Sequence, residues 1–267
     1  MTTRSPAVAG SFYPANAADL RREVEAACPP APRVEDAWAV VAPHAGYLYS
    51  GAVAGAAYAR VKVPRDVVLL CFHHRGRGAD LAVWPRGAWR SPLGDVPIAQ
   101  ELVDDILRLC PGAVADEEGH LDEHSGEVQL PFLQVRRPDV RLAPVALSTS
   151  DPDVLREFGT ALASVPGEFL VVASTDLNHY EDQATTLRKD AEVIRALERL
   201  DAEALREAVF RRGVSMCGFA PAAALCAYSK AKGAARAVTV KHATSGDVSG
   251  DTDRVVGYVG MIIPCGN

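Results

Sequence analysis

Short apolar runs alternate along this chain with amphipathic segments of helical period. The apolar runs are rich in valine, leucine and isoleucine and are nearly continuous in apolar character. Runs of this kind are typical of strands that are covered on both faces of a sheet. The pattern predicts strands at 38–42, 66–72, 81–84, 141–147, 169–173, 237–242 and 255–263.

The segments between these strands predict helices, and capping residues mark several of their ends. Asp151 and Asp201 are good N-caps, and Gly233 is a typical C-terminal stop. Helices are predicted at 97–110, 152–163, 185–200, 201–211 and 219–232. Strands that alternate with helices indicate a three-layer α/β fold, with a central mixed, largely parallel sheet flanked by helices. No repeat or long linker interrupts the sequence, so a single domain over residues 1–267 is expected.

Composition narrows the class of protein. The chain has 267 residues and a formal net charge of −6, so there is no electrostatic reason to expect nucleic acid or an anionic membrane as a partner. Its longest apolar runs are far shorter than the roughly 20 residues of a membrane helix, and no secretory signal is visible. A soluble, cytoplasmic protein is therefore expected. Six scattered cysteines without a CxxC pair argue against a zinc knuckle or a disulfide framework.

Three histidines come soon after predicted strands. His44, His73 and His179 follow the strands at 38–42, 66–72 and 169–173. Ligands bind outside the carboxyl ends of the strands in an open α/β sheet, so parallel strands would bring these histidines to one edge. Each could instead be an ordinary hydrogen-bonded surface histidine. His74 directly follows His73, and spacing leaves open which of the two is functional.

Cys217 lies just before the predicted helix at 219–232. A helix N-terminus favours a thiolate, which is the form of cysteine that binds a metal. A buried, inert cysteine is the plain alternative. Together with the strand-end histidines, Cys217 makes a mixed nitrogen and sulfur metal site reasonable.

A second polar cluster lies at 120–127. His124 and Glu127 are three residues apart and would share a helical face, where they could orient metal ligands, position a substrate or cap the chain. His120 and His124 do not match the zinc protease pattern, because Leu121 stands where that pattern requires glutamate. Tyr47, close to His44, could line the pocket or fill the edge of the core.

Several ordered motifs resemble those of one known family. The chain resembles the Memo family, called AmmeMemoRadiSam system protein B in prokaryotes, and the resemblance runs nearly end to end. The motifs are AGSFYP at 9–14, APHAGY at 42–47, EHSGEVQLPF at 123–132, STD at 174–176, CG at 217–218, TSGD at 244–247 and VGY at 256–258.

The resemblance implies a fold like that of the LigB-type, class III extradiol dioxygenases, which hold Fe(II) with two histidines and a glutamate. The Memo-type pocket offers cysteine in place of that glutamate. Carried onto this chain, the implied metal ligands are His44, His73 and Cys217, with His179 as a further pocket histidine and Asp176 beside it. The family usually has the pattern Gly-Pro-x-His at the second histidine, whereas this chain reads Leu70-Cys71-Phe72-His73. Because of that difference, His74 remains an alternative to His73 as the metal ligand.

These residues support a metal-dependent, oxygenase-like redox activity on an unknown substrate. Fe(II) is favoured by the resemblance, and thiolate with imidazole also suits Cu or Zn. His179 would serve as general acid or base, and Asp176 would orient it. The alternatives are a non-catalytic module that binds a small molecule or peptide, and a zinc hydrolase with Glu127 or His179 as its base. The family name also implies AMMECR1-type and radical SAM partner proteins.

Overall fold

The computed structural model describes residues 2–266, and its helices and strands alternate along most of the chain. The strands are β1 (Thr3–Arg4), β2 (Ala37–Ala42), β3 (Asp66–Phe72), β4 (Leu81–Val83), β5 (Ala88–Ser91), β6 (Gly94–Pro97), β7 (Val114–Ala115), β8 (Arg141–Leu147), β9 (Phe169–Ser174), β10 (His179–Glu181), β11 (Val238–Thr244) and β12 (Val255–Pro264). The helices are α1 (Ala17–Ala27), α2 (Tyr47–Ala59), α3 (Gln100–Leu109), α4 (Leu130–Arg136), α5 (Pro152–Leu162), α6 (Gln183–Glu198), α7 (Ala202–Phe210), α8 (Phe219–Ala231) and α9 (Gly246–Ser249). Short 3₁₀ turns lie at Glu118–His120 and Glu127–Gln129.

The large sheet has parallel strands at its centre and antiparallel strands toward its edges. Its order within the described residues is β10-β12-β2-β9-β3-β8-β4-β7, with β11 also paired to β12. The central strands β2, β9, β3 and β8 run parallel, whereas β12 and β4 pair with them antiparallel. All six residues of β9 are buried, as expected for a strand covered on both faces. The predicted mixed, largely parallel sheet is confirmed.

Helices cover both faces of this sheet. Helix α2 packs on β2, β11 and β12, with α1 and α4 beside it, and α8 packs on β9, β3 and β2, with α5 and α7 beside it. Two glycines of β12 show why the layers come so close. Gly260 lies against the backbone of α2 and Gly257 against Asp190 of α6, so that a Cβ atom at either position would clash. The two glycines face opposite sides of the strand, because they are an odd number of residues apart.

The predicted strands are confirmed with small shifts of their ends, and so are the predicted helices, but several elements were not predicted. Helix α2 was missed because it is apolar on nearly every side and therefore has no amphipathic stripe. The other missed elements are α1, α4, the short α9, the short strands β7 and β10, and the small sheet β1-β5-β6. None of the helices in the described part of the chain is both long enough and apolar enough to cross a membrane.

Candidate metal centre

The candidate site lies at the carboxyl ends of three adjacent parallel strands. Strand β9 pairs with β2 on one side and with β3 on the other, so the loops that follow these strands meet at one edge. These loops carry His44, His74 and Asp176. Cys217 comes to the same edge from the segment before α8, which packs on these strands.

A cavity of about 620 Å³ opens at this edge. Most of the predicted site residues line it, namely His44, His124, Asp176, His179 and Cys217. It is also lined by Phe12, Ala45, Gly46, His74, Tyr180, Ser215 and Val256. His73, Tyr47 and Glu127 were expected at the site but are not among the lining residues.

Three potential metal ligands converge in the cavity. His44, His74 and Cys217 each offer one ligand atom, and these atoms all lie within 4.8 Å of one another. The His44 Nε2 atom lies 3.3 Å from the Cys217 Sγ atom. The ring centroids of His44 and His74 are 5.4 Å apart, and the rings are nearly perpendicular. Two imidazoles and a thiol at this spacing form a candidate metal site.

The structure contradicts the expectation that His73 is one of the metal ligands. The His73 side chain is buried, and its Nδ1 atom accepts a hydrogen bond of 2.8 Å from the backbone N–H of Arg77. His74, the alternative left open by the sequence, faces His44 and Cys217 instead. His73 directly follows β3 and His74 begins a turn, so the two adjacent side chains meet different surroundings. The family resemblance favoured His73, and without its Gly-Pro turn this chain places His74 in the cavity.

The hydrogen bonds of the cavity histidines leave their Nε2 atoms available. His74 Nδ1 lies 2.9 Å from a Glu123 carboxylate oxygen, and His179 Nδ1 lies 2.8 Å from the Ser215 carbonyl oxygen. Both oxygens can only accept, so both Nδ1 atoms carry the proton. His44 Nδ1 is bonded likewise to the Ser174 hydroxyl at 2.9 Å. A neutral imidazole protonated at Nδ1 presents a lone pair at Nε2, which is what a metal ion requires.

Glu123 holds His74 in place. Its carboxylate accepts hydrogen bonds from the N–H and Nδ1 of His74 and from the N–H of Ser125. Burial alone would raise the pKa of Glu123, but the hydrogen bonds from His74 and Ser125 keep that pKa well below its usual range. The ionised carboxylate therefore orients His74. Glu123, His74 and His124 also form a second group with metal-ligand spacing, although it shares His74 with the first.

Cys217 differs electrostatically from what its position suggested. Burial, and then the nearby Asp176 carboxyl, raise the pKa of the Cys217 thiol to about 12. These effects outweigh the hydrogen bond of 3.3 Å that the Asp176 N–H donates to the sulfur. The expected thiolate at a helix N-terminus is therefore replaced by a neutral thiol in the metal-free protein. A bound cation would reverse this balance, because a coordinating thiol loses its proton.

Asp176 and His179 both line the cavity, but each depends on a different neighbour. The Asp176 carboxylate accepts a hydrogen bond of 2.8 Å from the His44 N–H, and burial raises its pKa to about 6. His179 is held by Ser215, whose hydroxyl accepts its backbone N–H and whose carbonyl accepts its Nδ1 proton. The expectation that Asp176 orients His179 is therefore corrected, since Ser215 does so.

Glu127 lies in the interior and not at the cavity. It is completely buried and forms a salt bridge of 2.8 Å with buried Arg4. It also accepts hydrogen bonds from the Tyr13 hydroxyl and from the backbone N–H groups of Ala7 and Val8. The proposed roles of Glu127 as a substrate-positioning group or a catalytic base are therefore corrected. Its carboxylate anchors the N-terminal segment.

Tyr47 is a core residue. Its hydroxyl donates to the Val128 carbonyl oxygen at 2.7 Å, and its ring packs against Phe132. Its backbone N–H donates to the carbonyl oxygen of Phe12. Phe12 in turn lines the cavity, where its ring lies edge-on to His124 at 5.0 Å. The N-terminal segment thus supplies one wall of the site.

Several residues that line the cavity or hold its histidines were not singled out from the sequence. Glu123, Phe12 and Ser174 each lie inside a motif that carried the family resemblance, and that was the available signal. Tyr180, which lines the cavity, has a left-handed backbone (φ 62°), which is uncommon for a bulky residue. Ser215 gave no signal, because its role depends on contacts distant in the sequence.

The fold and the site define a mixed α/β protein with a two-histidine, one-cysteine pocket at the carboxyl edge of its sheet. The family model described as Memo-like protein matches residues 4–262. A MEMO1 family protein of Thermotoga maritima is 40% identical over 278 residues, which cover 97% of this chain and 99% of that protein. One of Methanopyrus kandleri is 42% identical (97% and 98% covered), and one of Methanosarcina mazei is 38% identical (98% and 100% covered). The chain belongs to the Memo family.

Proposed function

We propose that this protein is a metal-dependent redox protein whose metal ion is held by His44, His74 and Cys217. The observation that carries the proposal is the convergence of three ligand atoms within 4.8 Å of one another. The donor set fits a transition metal, because both histidines have their Nδ1 atoms hydrogen-bonded and their Nε2 lone pairs available.

Fe(II) is the proposed metal, with Cu and Zn as the alternatives. Imidazole suits all three ions, and thiolate favours the softer ones. His44, His74 and Cys217 would hold the metal with three protein ligands, the number that catalytic metal sites typically use. When bound, the metal would supply Lewis-acid and redox chemistry.

The other cavity residues would bind a substrate and exchange protons with it. His179 carries its proton on Nδ1, so its unprotonated Nε2 can accept a proton as a general base. Asp176, with a pKa of about 6, can hold or release a proton near neutral pH. Phe12 and Tyr180 provide apolar walls for the substrate.

The hydrolase alternative is weakened by the position of Glu127. A catalytic base must reach the water that it activates. The Glu127 carboxylate is instead completely buried and bonded to Arg4 and Tyr13. His179 remains as the one candidate base from the two considered.

The test is metal content, followed by oxygen uptake. Protein purified without added metal would be compared with His44→Ala and Cys217→Ala, and with Cys265→Ala as the control. Cys265 is also partly buried, but it lies outside the cavity. We expect the metal content of His44→Ala and Cys217→Ala to be at least about tenfold lower than that of wild type, while Cys265→Ala keeps the wild-type content. Equal metal content in all four proteins would contradict the proposed ligands.

A second measurement tests the redox role. Wild-type and His179→Ala proteins would be loaded with Fe(II), and oxygen consumption would be followed with ascorbate as reductant. We expect equal iron content but oxygen uptake slower by about 100-fold in His179→Ala, because general acid–base groups typically contribute that much. Iron-loaded wild type that consumes no more oxygen than free Fe(II) would contradict a redox function.

A further inference from the structure

A chain of buried hydrogen bonds connects the core with His44. Ser174 ends β9, and Gln129 ends the 3₁₀ turn that begins at Glu127. Gln129, Ser174 and Ser125 are completely buried, and His44 is 1% exposed. An unsatisfied polar group at such a place costs about 1–3 kcal/mol, so each donor should meet an acceptor. This requirement determines the direction of every hydrogen bond in the chain.

The orientation of the Gln129 amide is fixed first. Its Nε2 atom lies 2.9 Å from the Pro43 carbonyl oxygen and 2.8 Å from the Ser174 hydroxyl oxygen. Its Oε1 atom accepts the Tyr58 hydroxyl at 2.9 Å. The Pro43 carbonyl can only accept, so the amide must present its NH₂ group to Pro43 and Ser174.

The Ser174 hydroxyl is fixed next. Its single proton goes to the Ser125 carbonyl oxygen at 2.6 Å, which can only accept. Its oxygen already accepts one proton from Gln129. The remaining contact is with His44 Nδ1 at 2.9 Å, and here Ser174 has no proton left to give. His44 Nδ1 must therefore be the donor.

We infer that Ser174 and Gln129 are positioning residues that hold His44 in its Nδ1-protonated form and so keep the Nε2 lone pair directed at the metal. The His44 Nε2 atom lies on the cavity side, 3.3 Å from Cys217 Sγ. The inference rests on the proposed function only in naming a metal as the group that Nε2 binds. The position of the proton is a property of the metal-free protein.

The first test locates that proton. Metal-free protein with ¹⁵N-labelled histidine would be studied by NMR at neutral pH, and the His44 signals would be assigned from a His44→Gln variant. We expect wild-type His44 to be protonated only at Nδ1, whereas Ser174→Ala should show a mixture of both forms. A wild-type His44 protonated at Nε2, or an unchanged His44 in Ser174→Ala, would overturn the inference.

The second test measures affinity for Co²⁺, a spectroscopic probe of thiolate-containing sites. Ser174→Ala should bind Co²⁺ about 10- to 100-fold more weakly than wild type, which is typical when the partner of a ligating histidine is removed. Ser174→Thr keeps the hydroxyl and should restore binding. Gln129→Met should lose less, because the Ser174 acceptor remains. Co²⁺ affinity in Ser174→Ala equal to that of wild type would count against the inference.

Ser229→Ala is the matched control. Ser229 is equally buried, and its hydroxyl has no partner among residues 2–266. It should therefore match wild type in Co²⁺ affinity. A wild type that binds no Co²⁺, while His44 still changes form in Ser174→Ala, would contradict the proposed function and support this inference. If Ser174→Ala fails to fold, the position of the His44 proton is measured in wild type and in Gln129→Met. Wild-type His44 protonated at Nε2 would then overturn the inference.

Discussion

The cavity histidines and the histidines buried outside the cavity carry their protons on opposite ring nitrogens. His44, His74 and His179 donate from Nδ1 and therefore carry a lone pair on Nε2. His73 accepts at Nδ1, and His120 donates from Nε2 to the Ala82 carbonyl oxygen, so both are protonated at Nε2. His73 and His74 are neighbours in sequence yet belong to different groups. The partner of Nδ1, more than the position in the chain, determines which ring nitrogen carries the lone pair.

Two glutamates of the motif at 123–132 differ in the same way, since one serves the candidate site and the other the interior. Glu123 is buried behind His74 and orients it, whereas Glu127 lies deeper in the interior and neutralises Arg4. Both are buried and both accept several hydrogen bonds. They differ in what they hold: a candidate ligand in one case and the N-terminal segment in the other.

The largest effect is expected from Glu127→Gln. This change leaves the buried Arg4 guanidinium without its counter-charge, which typically costs about 3–5 kcal/mol of stability. Urea denaturation should show this loss, while the metal content per folded chain stays close to that of wild type. A stable variant that has lost its metal would instead place Glu127 with the cavity residues.

The next effect is the contrast between His74→Ala and His73→Ala. We expect His74→Ala to weaken Co²⁺ binding by about 100-fold, which corresponds to about 2.7 kcal/mol. His73→Ala should lower the melting temperature but keep the wild-type affinity, because its ring does not face the cavity. Isothermal titration of both variants is the measurement. The reverse outcome would restore His73 as the ligand.

The buried histidines should also affect acid stability. Burial lowers the pKa of His120 to about 3, against the hydrogen bond to Ala82 that would raise it. Below about pH 6.5 the unfolded chain therefore takes up a proton that the folded protein does not, and stability falls as pH decreases toward 3. His120→Gln keeps a donor for the Ala82 carbonyl oxygen but does not titrate.

Between pH 7.5 and pH 5, His120→Gln should lose about 2 kcal/mol less stability than wild type. Urea denaturation at the two pH values measures this difference. The other histidines contribute alike to both proteins and cancel. An identical loss in both would mean that His120 is not held neutral by burial.

The smallest effect is expected from Glu123→Gln. Removal of the charge weakens the hydrogen bond that orients His74, so Co²⁺ affinity should fall by about tenfold, or about 1.4 kcal/mol. His74 Nδ1 should lose its strong preference for the proton, which histidine NMR would detect. The same substitution at Glu127 serves as the control, since it should affect stability and leave affinity unchanged.

The fold was predictable where the sequence pattern has a single physical cause. Strands such as β3 and β8 are continuous apolar runs, and their bounds match the prediction. Helix α2 was not predicted, because its small and apolar residues are buried on almost all sides. Helix α1 did carry a signal, since the Asn16 side chain caps it by accepting from the N–H groups of Ala18 and Asp19.

The location of the site could be predicted from the sequence, but not all of its residues could. The rule that ligands lie at the carboxyl ends of parallel strands led to His44 and His179. It could not decide between His73 and His74, because that choice depends on which way the chain turns after β3. Partners such as Glu123 and Ser174 are visible only once residues far apart in sequence come into contact.

The wide separation of His44, His74 and Cys217 along the chain has a consequence for how fast the protein is degraded. The unfolded chain holds these residues far apart, so a metal ion would bind the folded protein almost exclusively. At a free metal concentration 100 times the dissociation constant, such binding adds about 2.7 kcal/mol to the free energy of unfolding. Proteases act on the unfolded chain, whose population falls by the same factor of about 100. Metal supply would then govern the abundance of the protein as well as its chemistry.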